Sequence, residues 1–411
     1  MSPPRVPTLV VGAGIAGLCF AVALRQQGQD LTLIEQSREP RTEGAGIQLG
    51  PNAVRILKAL GLGDALNEIG WEPKRLRVRD LHSGASLACL PLSDRQVAKY
   101  GQPTLTVHRA DLQDALLARA VELGVQPQWG QNLESIQAGA WGMARLESGE
   151  TIEAGLIVGA DGLRGRSRLA VPKASRPNAT GQIAIRGQLE VCPNPRSELG
   201  QEITVWCGSG QHVVGYPIRS GKLYGLVLIQ DAAEWSLDQS WSTPWPAIRL
   251  SQLFGESNNL LRGFLESVDD WRAWPLWASE PLTGPDQLAF RHTALIGDAG
   301  HAMRPHLAQG AAMGIEDAWV LAHELRRLGS HESGIAGLEN QPLAATHYAH
   351  QRWQRIATVQ QRVQRSGKIF QLRGPMALAR NMALRAAGPQ LMDQPWLYGH
   401  GLLGHATDVV L

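Results

Sequence analysis

A chain of 411 residues, 44% hydrophobic and 18% charged, is ordinary for a globular protein and long enough for two or three domains. A formal charge of +2 with no dense Lys/Arg run gives no electrostatic basis for nucleic acid or an anionic membrane as partner. Cys19, Cys89, Cys192 and Cys207 form neither a CxxC pair nor a metal-ligand spacing, so they read as reduced packing residues of a cytoplasmic protein, and no metal is expected.

Residues Val6 to Leu24 carry no charge and approach a membrane span in length. Gly12, Gly14 and Gly17 interrupt the run at dinucleotide-fold spacing, so it reads instead as a strand (Thr8–Val11), a glycine turn and a helix (Ile15–Gln27) closed by Gly28. A second strand, Leu31–Ile34, runs into Glu35. The logic fits a nucleotide diphosphate: Gly12 permits the tight turn, Gly14 lets backbone approach the phosphates, and Gly17 lets helix pack on strand. The helix start at Ile15 and Ala16 offers free N–H groups, and Glu35 stands where an acid accepts from a ribose hydroxyl. The motif predicts dinucleotide binding without separating one dinucleotide from another.

Further along, Leu156–Val158 runs as an apolar strand into Gly159-Ala160-Asp161-Gly162, followed by Arg164, Arg166 and Arg168. Ile183–Arg186, Ile203–Trp206 and Leu223–Ile229 read as strands separated by Gly/Ser/Pro turns. Trp271, Trp274 and Trp277 recur every third residue, but Pro275 and Pro281 argue against a long helix, so packing at a domain junction is expected rather than substrate contact. Thr293–Ile296 repeats the strand-into-acid pattern at Gly297-Asp298-Ala299-Gly300-His301. Pro305, Gln309 and Gly310 follow, then an apolar helix from about Ala311 to Arg327. The chain after Gly329 is helical in composition; His400 and His405 are isolated and suggest no metal.

These segments together, with Gly44-Ala45-Gly46-Ile47, Pro51-Asn52-Ala53, His108-Arg109-Ala110-Asp111-Leu112, Tyr216-Pro217 and Glu316-Asp317-Ala318, resemble the single-component flavoprotein monooxygenases typified by p-hydroxybenzoate and salicylate hydroxylases. The resemblance spans nearly the whole chain. It implies an α/β fold: a Rossmann-like FAD-binding domain (1–72, 101–175 and 284–328), an antiparallel β-sheet substrate domain (73–100 and 176–283) and a C-terminal helical region (329–411). It implies non-covalent FAD, with NADH or NADPH as transient reductant in a groove near the flavin, since no second GxGxxG unit is present. The arginines after Asp161 suit its phosphates, and a solvated basic turn suits them equally.

The resemblance also assigns roles. Glu35 would bind the adenosine ribose, Arg109 the FAD backbone, Asp298 the ribityl hydroxyls, and Asp161 with Gly162 both the FAD diphosphate and the passing nicotinamide cofactor. Gly310, Ala311 and Ala312 would turn helix N–H groups toward the flavin ring, where a helix N-terminus stabilises the anionic reduced form. On the substrate side His212 would take a phenol proton and Tyr216 would orient the ring, with His306 as a second candidate and Pro305 beside it. Arg186 or Arg304 would hold a substrate carboxylate, and His301 reads as structural. The implied activity is hydroxylation of a small aromatic or N-heteroaromatic acid by NAD(P)H and O2 through a flavin C4a-hydroperoxide, in a monomer or homodimer. Flavin oxidases and epoxidases, and a non-catalytic FAD-binding protein, remain alternatives; the WxWxIP signature of halogenases is absent. The chain departs from the commonest pattern at Gly300 (usually alanine), Ala308 (usually glycine) and Gly165 (frequently serine).

Overall fold

The computed structural model describes residues 3–40, 44–190, 199–231, 243–329 and 340–399, so Cys192, His400 and His405 fall outside the described residues. Arg5–Val11 forms a central strand between Thr32–Glu35 and Thr151–Gly159, parallel to both, and Thr293–Leu295 extends the sheet beyond Thr151–Gly159. Parallel strands covered on both faces need continuous apolar runs, and Thr8–Val11 and Leu156–Gly159 are buried along their length.

Gly12 leaves the first strand at φ +109°, and a Cβ there would lie 2.5 Å from the Ala160 carbonyl oxygen. Gly17 packs so closely on the Gly12 carbonyl that any side chain would overlap it, while a Cβ at Gly14 would meet nothing. Two glycines therefore serve the turn, and the third faces open space. The following helix, Ile15–Gln26, buries most of its residues and packs against the late helix Gly310–Gly329 and the helix Arg109–Glu122.

The second sheet runs Thr243–Pro244, Arg272–Ala278, Asn178–Leu189, Leu223–Asp231, Gln211–Ile218, Glu202–Cys207, Arg75–Asp80, Ser86–Pro91. Its strands are antiparallel to their neighbours except Glu202–Cys207 and Arg75–Asp80, which run parallel, so the sheet is mixed rather than wholly antiparallel. Gln211–Ile218 is an interior strand despite Pro217, a residue that sequence rules place at edges. The long helix Gln341–Phe370 lies against the late helix and carries the chain to Gly374–Met392, which covers the Ser86–Pro91 edge. No described helix is long and apolar enough to cross a membrane.

Candidate active site

Two cavities meet at Gly14, Arg109, Ala160, Gly162, Leu163 and Asp298. One, of about 550 Å³, runs from that junction past Gly12, Glu35, Asp161, Arg164 and Arg166. The other, of about 350 Å³, runs between the ends of the first and late helices and the second sheet, past Ile15, Ala16, Gly310 and Ala311 to His212. Both volumes fall within the range of cofactor and small-molecule sites. Gly17 and Ala312 are not on the walls; Gly17 acts through helix packing, and Ala312 is fully buried.

Glu35 accepts from Ala13 N (2.8 Å) and Ser37 N (2.9 Å), which ties the glycine turn to the second strand. Asp161 is folded back over Gly165, where any side chain would overlap its carboxylate, and accepts from Ser167 N (2.9 Å) and Ser167 Oγ. Burial raises its pKa. Glycine at 165 is therefore required by the place Asp161 takes. Of the three arginines, Arg168 is buried and donates to the carbonyls of Gly162 (2.8 Å) and Asp298 (3.0 Å), bracing the two acid-bearing turns; Arg164 and Arg166 line the cavity. Arg109 and Asp298 are exposed on the shared wall.

The Gly297–His301 turn rests on a buried ion network. Asp317 accepts from Gly297 N (3.0 Å) and pairs with His301, giving that histidine a structural role. Arg352, 1% exposed, donates to Asp317 (2.8 Å) and Glu316 (2.7 Å), while Arg355 and Asn52 also donate to Glu316. Burial alone would raise both carboxyls, but Arg352 with Arg355 at Glu316, and His301 with Arg352 at Asp317, hold them below their usual range. The resemblance includes Glu316 and Asp317 without giving them a role; together with Arg352 they fix the turn beneath the cavity.

Gly300 packs in the core, where a Cβ would stand 3.0 Å from a Leu288 methyl, so alanine would crowd it. Ala308 adopts the left-handed conformation (φ 53°, ψ 34°) that explains glycine as the usual residue there. Ala308→Gly is expected to stabilise the protein by about 0.5–1 kcal/mol, the relieved backbone strain less the greater entropy of unfolded glycine. A rise in Tm checks it, and an unchanged or lower Tm counts against it.

The second sheet forms the far wall. Its register aligns His212, Ile229, Ala184 and Trp274 in one cross-strand row and Val214, Val227 and Arg186 in the next. His212 and Arg186 thus face the cavity from strands two apart, with Cα atoms roughly 12 Å apart by sheet spacing. Tyr216 lies further along the same strand, and its hydroxyl donates to the Gly46 carbonyl (2.6 Å), so its proton is committed to the scaffold. Arg186 lies 5.0 Å from the Trp274 ring. Arg304 and Pro305 line the opposite side, and Arg304 Nε is buried without a hydrogen-bond partner.

Trp274 and Trp277 both line this cavity, contrary to the expectation of junction packing; only Trp271 is a core residue. Both sit on the strand Arg272–Ala278: Trp274 pairs in regular register with Ala184, while Trp277 lies beyond an irregularity between Ala179 and Ile183 of the neighbouring strand, of the kind that re-aims side chains.

His212 is fully buried with no hydrogen-bond partner at either ring nitrogen, although it lines the cavity. His306 is not on the wall; its ring stands behind, 5.2 Å from that of His212, and its nitrogens are likewise unpartnered. Burial, and then the neighbouring His306, push His212 well below its ordinary value; burial and Arg304 push His306 from 6.5 to about 4. Both are neutral at pH 7. Unfolded, His306 binds a proton near 6.5; folded, only near 4, so stability is lost as pH falls through that window. The loss for His306 amounts to about 3 kcal/mol. The stability of His306→Leu should depend less steeply on pH between 6.5 and 4; a slope equal to wild type in denaturant titrations would contradict this.

A cradle of this form, with a glycine turn opening onto space, two helix starts and an arginine on one continuous cavity, suits a long dinucleotide. Residues 5–357 match the FAD binding domain family (FAD_binding_3). The chain belongs to that family. It is 31% identical over 398 residues to 3-hydroxybenzoate 6-hydroxylase 1 of Aquipseudomonas alcaligenes, covering 95% of this chain and 97% of the relative. It is 33% identical over 340 residues to 6-hydroxynicotinate 3-monooxygenase of Bordetella bronchiseptica, covering 81% and 85%. A solved salicylate hydroxylase substrate complex superposes with a TM-score of 0.81 at 25% identity, covering 99% and 98%. The chain is thus an FAD-dependent oxidoreductase of the aromatic-hydroxylase group.

Proposed function

We propose that this flavoprotein uses NADH or NADPH and dioxygen to hydroxylate a small aromatic or N-heteroaromatic hydroxy acid in the cavity walled by His212. The carrying observation is His212 itself: a neutral, buried imidazole with both nitrogens unpartnered, on an otherwise largely apolar wall of the space that the flavin-binding turns open onto. A buried polar group left without a partner is costly, so such a group implies a ligand that completes it.

Gly12, Gly14 and Glu35 would hold the adenosine diphosphate portion of FAD, Arg109 and Asp298 its middle, and the Gly310–Ala311 helix start its ring. FAD when bound supplies the redox chemistry that activates oxygen. The protein's share is to bind and orient the aromatic acid and exclude water. The unprotonated ring nitrogen of His212 accepts the substrate's hydroxyl proton as oxygen transfer draws electron density from the ring. Arg186, on the same sheet as His212, or Arg304, opposite it, would hold the carboxylate. The Trp274 and Trp277 faces would pack against the substrate ring.

The test is NAD(P)H consumption by FAD-loaded protein offered 3-hydroxybenzoate, 6-hydroxynicotinate and salicylate, acids of the kind its relatives act on. At least one such acid should accelerate NAD(P)H oxidation and be recovered with one added oxygen. Stoichiometric capture of an acid without NAD(P)H oxidation would make the chain a binding protein instead.

A further inference from the structure

The helix Gln341–Phe370 contains a single glycine, Gly367, close to its C-terminal end. Its φ lies outside the left-handed region, so the backbone does not require glycine, and glycine is among the poorest residues for a helix interior. What requires it is space. A Cβ on Gly367 would overlap Cδ2 and Nε2 of the His306 imidazole. His306 in turn stands 5.2 Å from His212, and Phe370, on the same helical turn as Gly367, stands 5.4 Å from His212. His212 is therefore set between two rings, one resting on this helix and the other carried by it.

We propose that Gly367 is a positioning residue: by letting His306 lie flush on the helix, it fixes the place of the His212 ring and so the depth of the substrate cavity. A side chain at 367 drives His306 onto His212, and His212 has the open cavity before it. The consequence for substrate rests on the reading of that cavity given above; the displacement of the ring does not.

The experiment compares Gly367→Ala, His306→Ala and the double variant, each loaded with FAD. One readout is the position of the His212 ring in crystal structures. The other is affinity for whichever of the three acids wild type binds, followed through flavin absorbance. Gly367→Ala should keep FAD, shift His212 toward the cavity and bind the acid about ten- to a hundredfold more weakly, the scale of overpacking a close-packed site. Removing His306 in the same chain should return the ring and restore the affinity of His306→Ala alone. A Gly367→Ala protein that fails to fold while the double variant folds would also support the proposal. An unmoved His212 ring in Gly367→Ala overturns it, as does a double variant that binds as weakly as Gly367→Ala or does not fold. If wild type binds no acid, the substrate reading fails, and the ring position still decides this proposal.

Discussion

Replacing Arg352 with methionine should destabilise the protein by about 3–5 kcal/mol, because it leaves Glu316 and Asp317 buried with half their positive partners gone. Arg352 is enclosed between them at 2.7 and 2.8 Å and is 1% exposed. Arg355 still serves Glu316, but Asp317 would keep only His301 and the Gly297 N–H. The damage should therefore concentrate at the Gly297–His301 turn beneath the cavity. Thermal unfolding with and without added FAD measures both effects: a Tm lower by several degrees, and weaker retention of flavin. An Arg352→Met protein with wild-type Tm and flavin content would show that the network is not what fixes the turn.

His212→Ala should retain FAD and lose hydroxylation by about 10²–10⁴-fold, the range over which a positioned general base contributes. The turns proposed to hold FAD lie on the first sheet and the late helix, whereas His212 is carried by the second sheet, so cofactor binding and hydroxylation should separate. Because burial keeps the imidazole neutral, activity should show no inflection from His212 near pH 6.5. Flavin absorbance and product yield on the identified acid report the outcome. Unchanged turnover would remove His212 from the chemistry.

The parts of this molecule legible in its sequence are those where one residue type has one physical reason. Gly12 has a positive φ, Gly17 has no room for a side chain, and the strands around them are buried on both faces, so local pattern and tertiary need coincide. The second-sheet wall of the cavity is less legible. Gln211–Ile218 contains Pro217 and lies inside the sheet, and only once it is known as a strand does the alternation of His212, Val214 and Tyr216 put all three on one face. Trp274 reaches the cavity through its register with Ala184, which places it in the row of His212, and Trp277 lies beyond a register irregularity; neither pairing is visible in the local sequence. His306 was expected beside the pocket and stands behind it, against a helix more than fifty residues later in the chain. The Glu316–Asp317–Arg352 network is non-local in the same way, since charges about 35 residues apart do not announce that they will be buried together.

Turnover under ¹⁸O2 tests the account most directly. With FAD-loaded protein, NADH or NADPH and the acid that stimulates its oxidation, the recovered product should carry one ¹⁸O atom on the ring. A product that has lost two hydrogens and gained no label, or an acid returned unchanged while NAD(P)H is consumed, would contradict the assignment of this cavity as a site of aromatic hydroxylation.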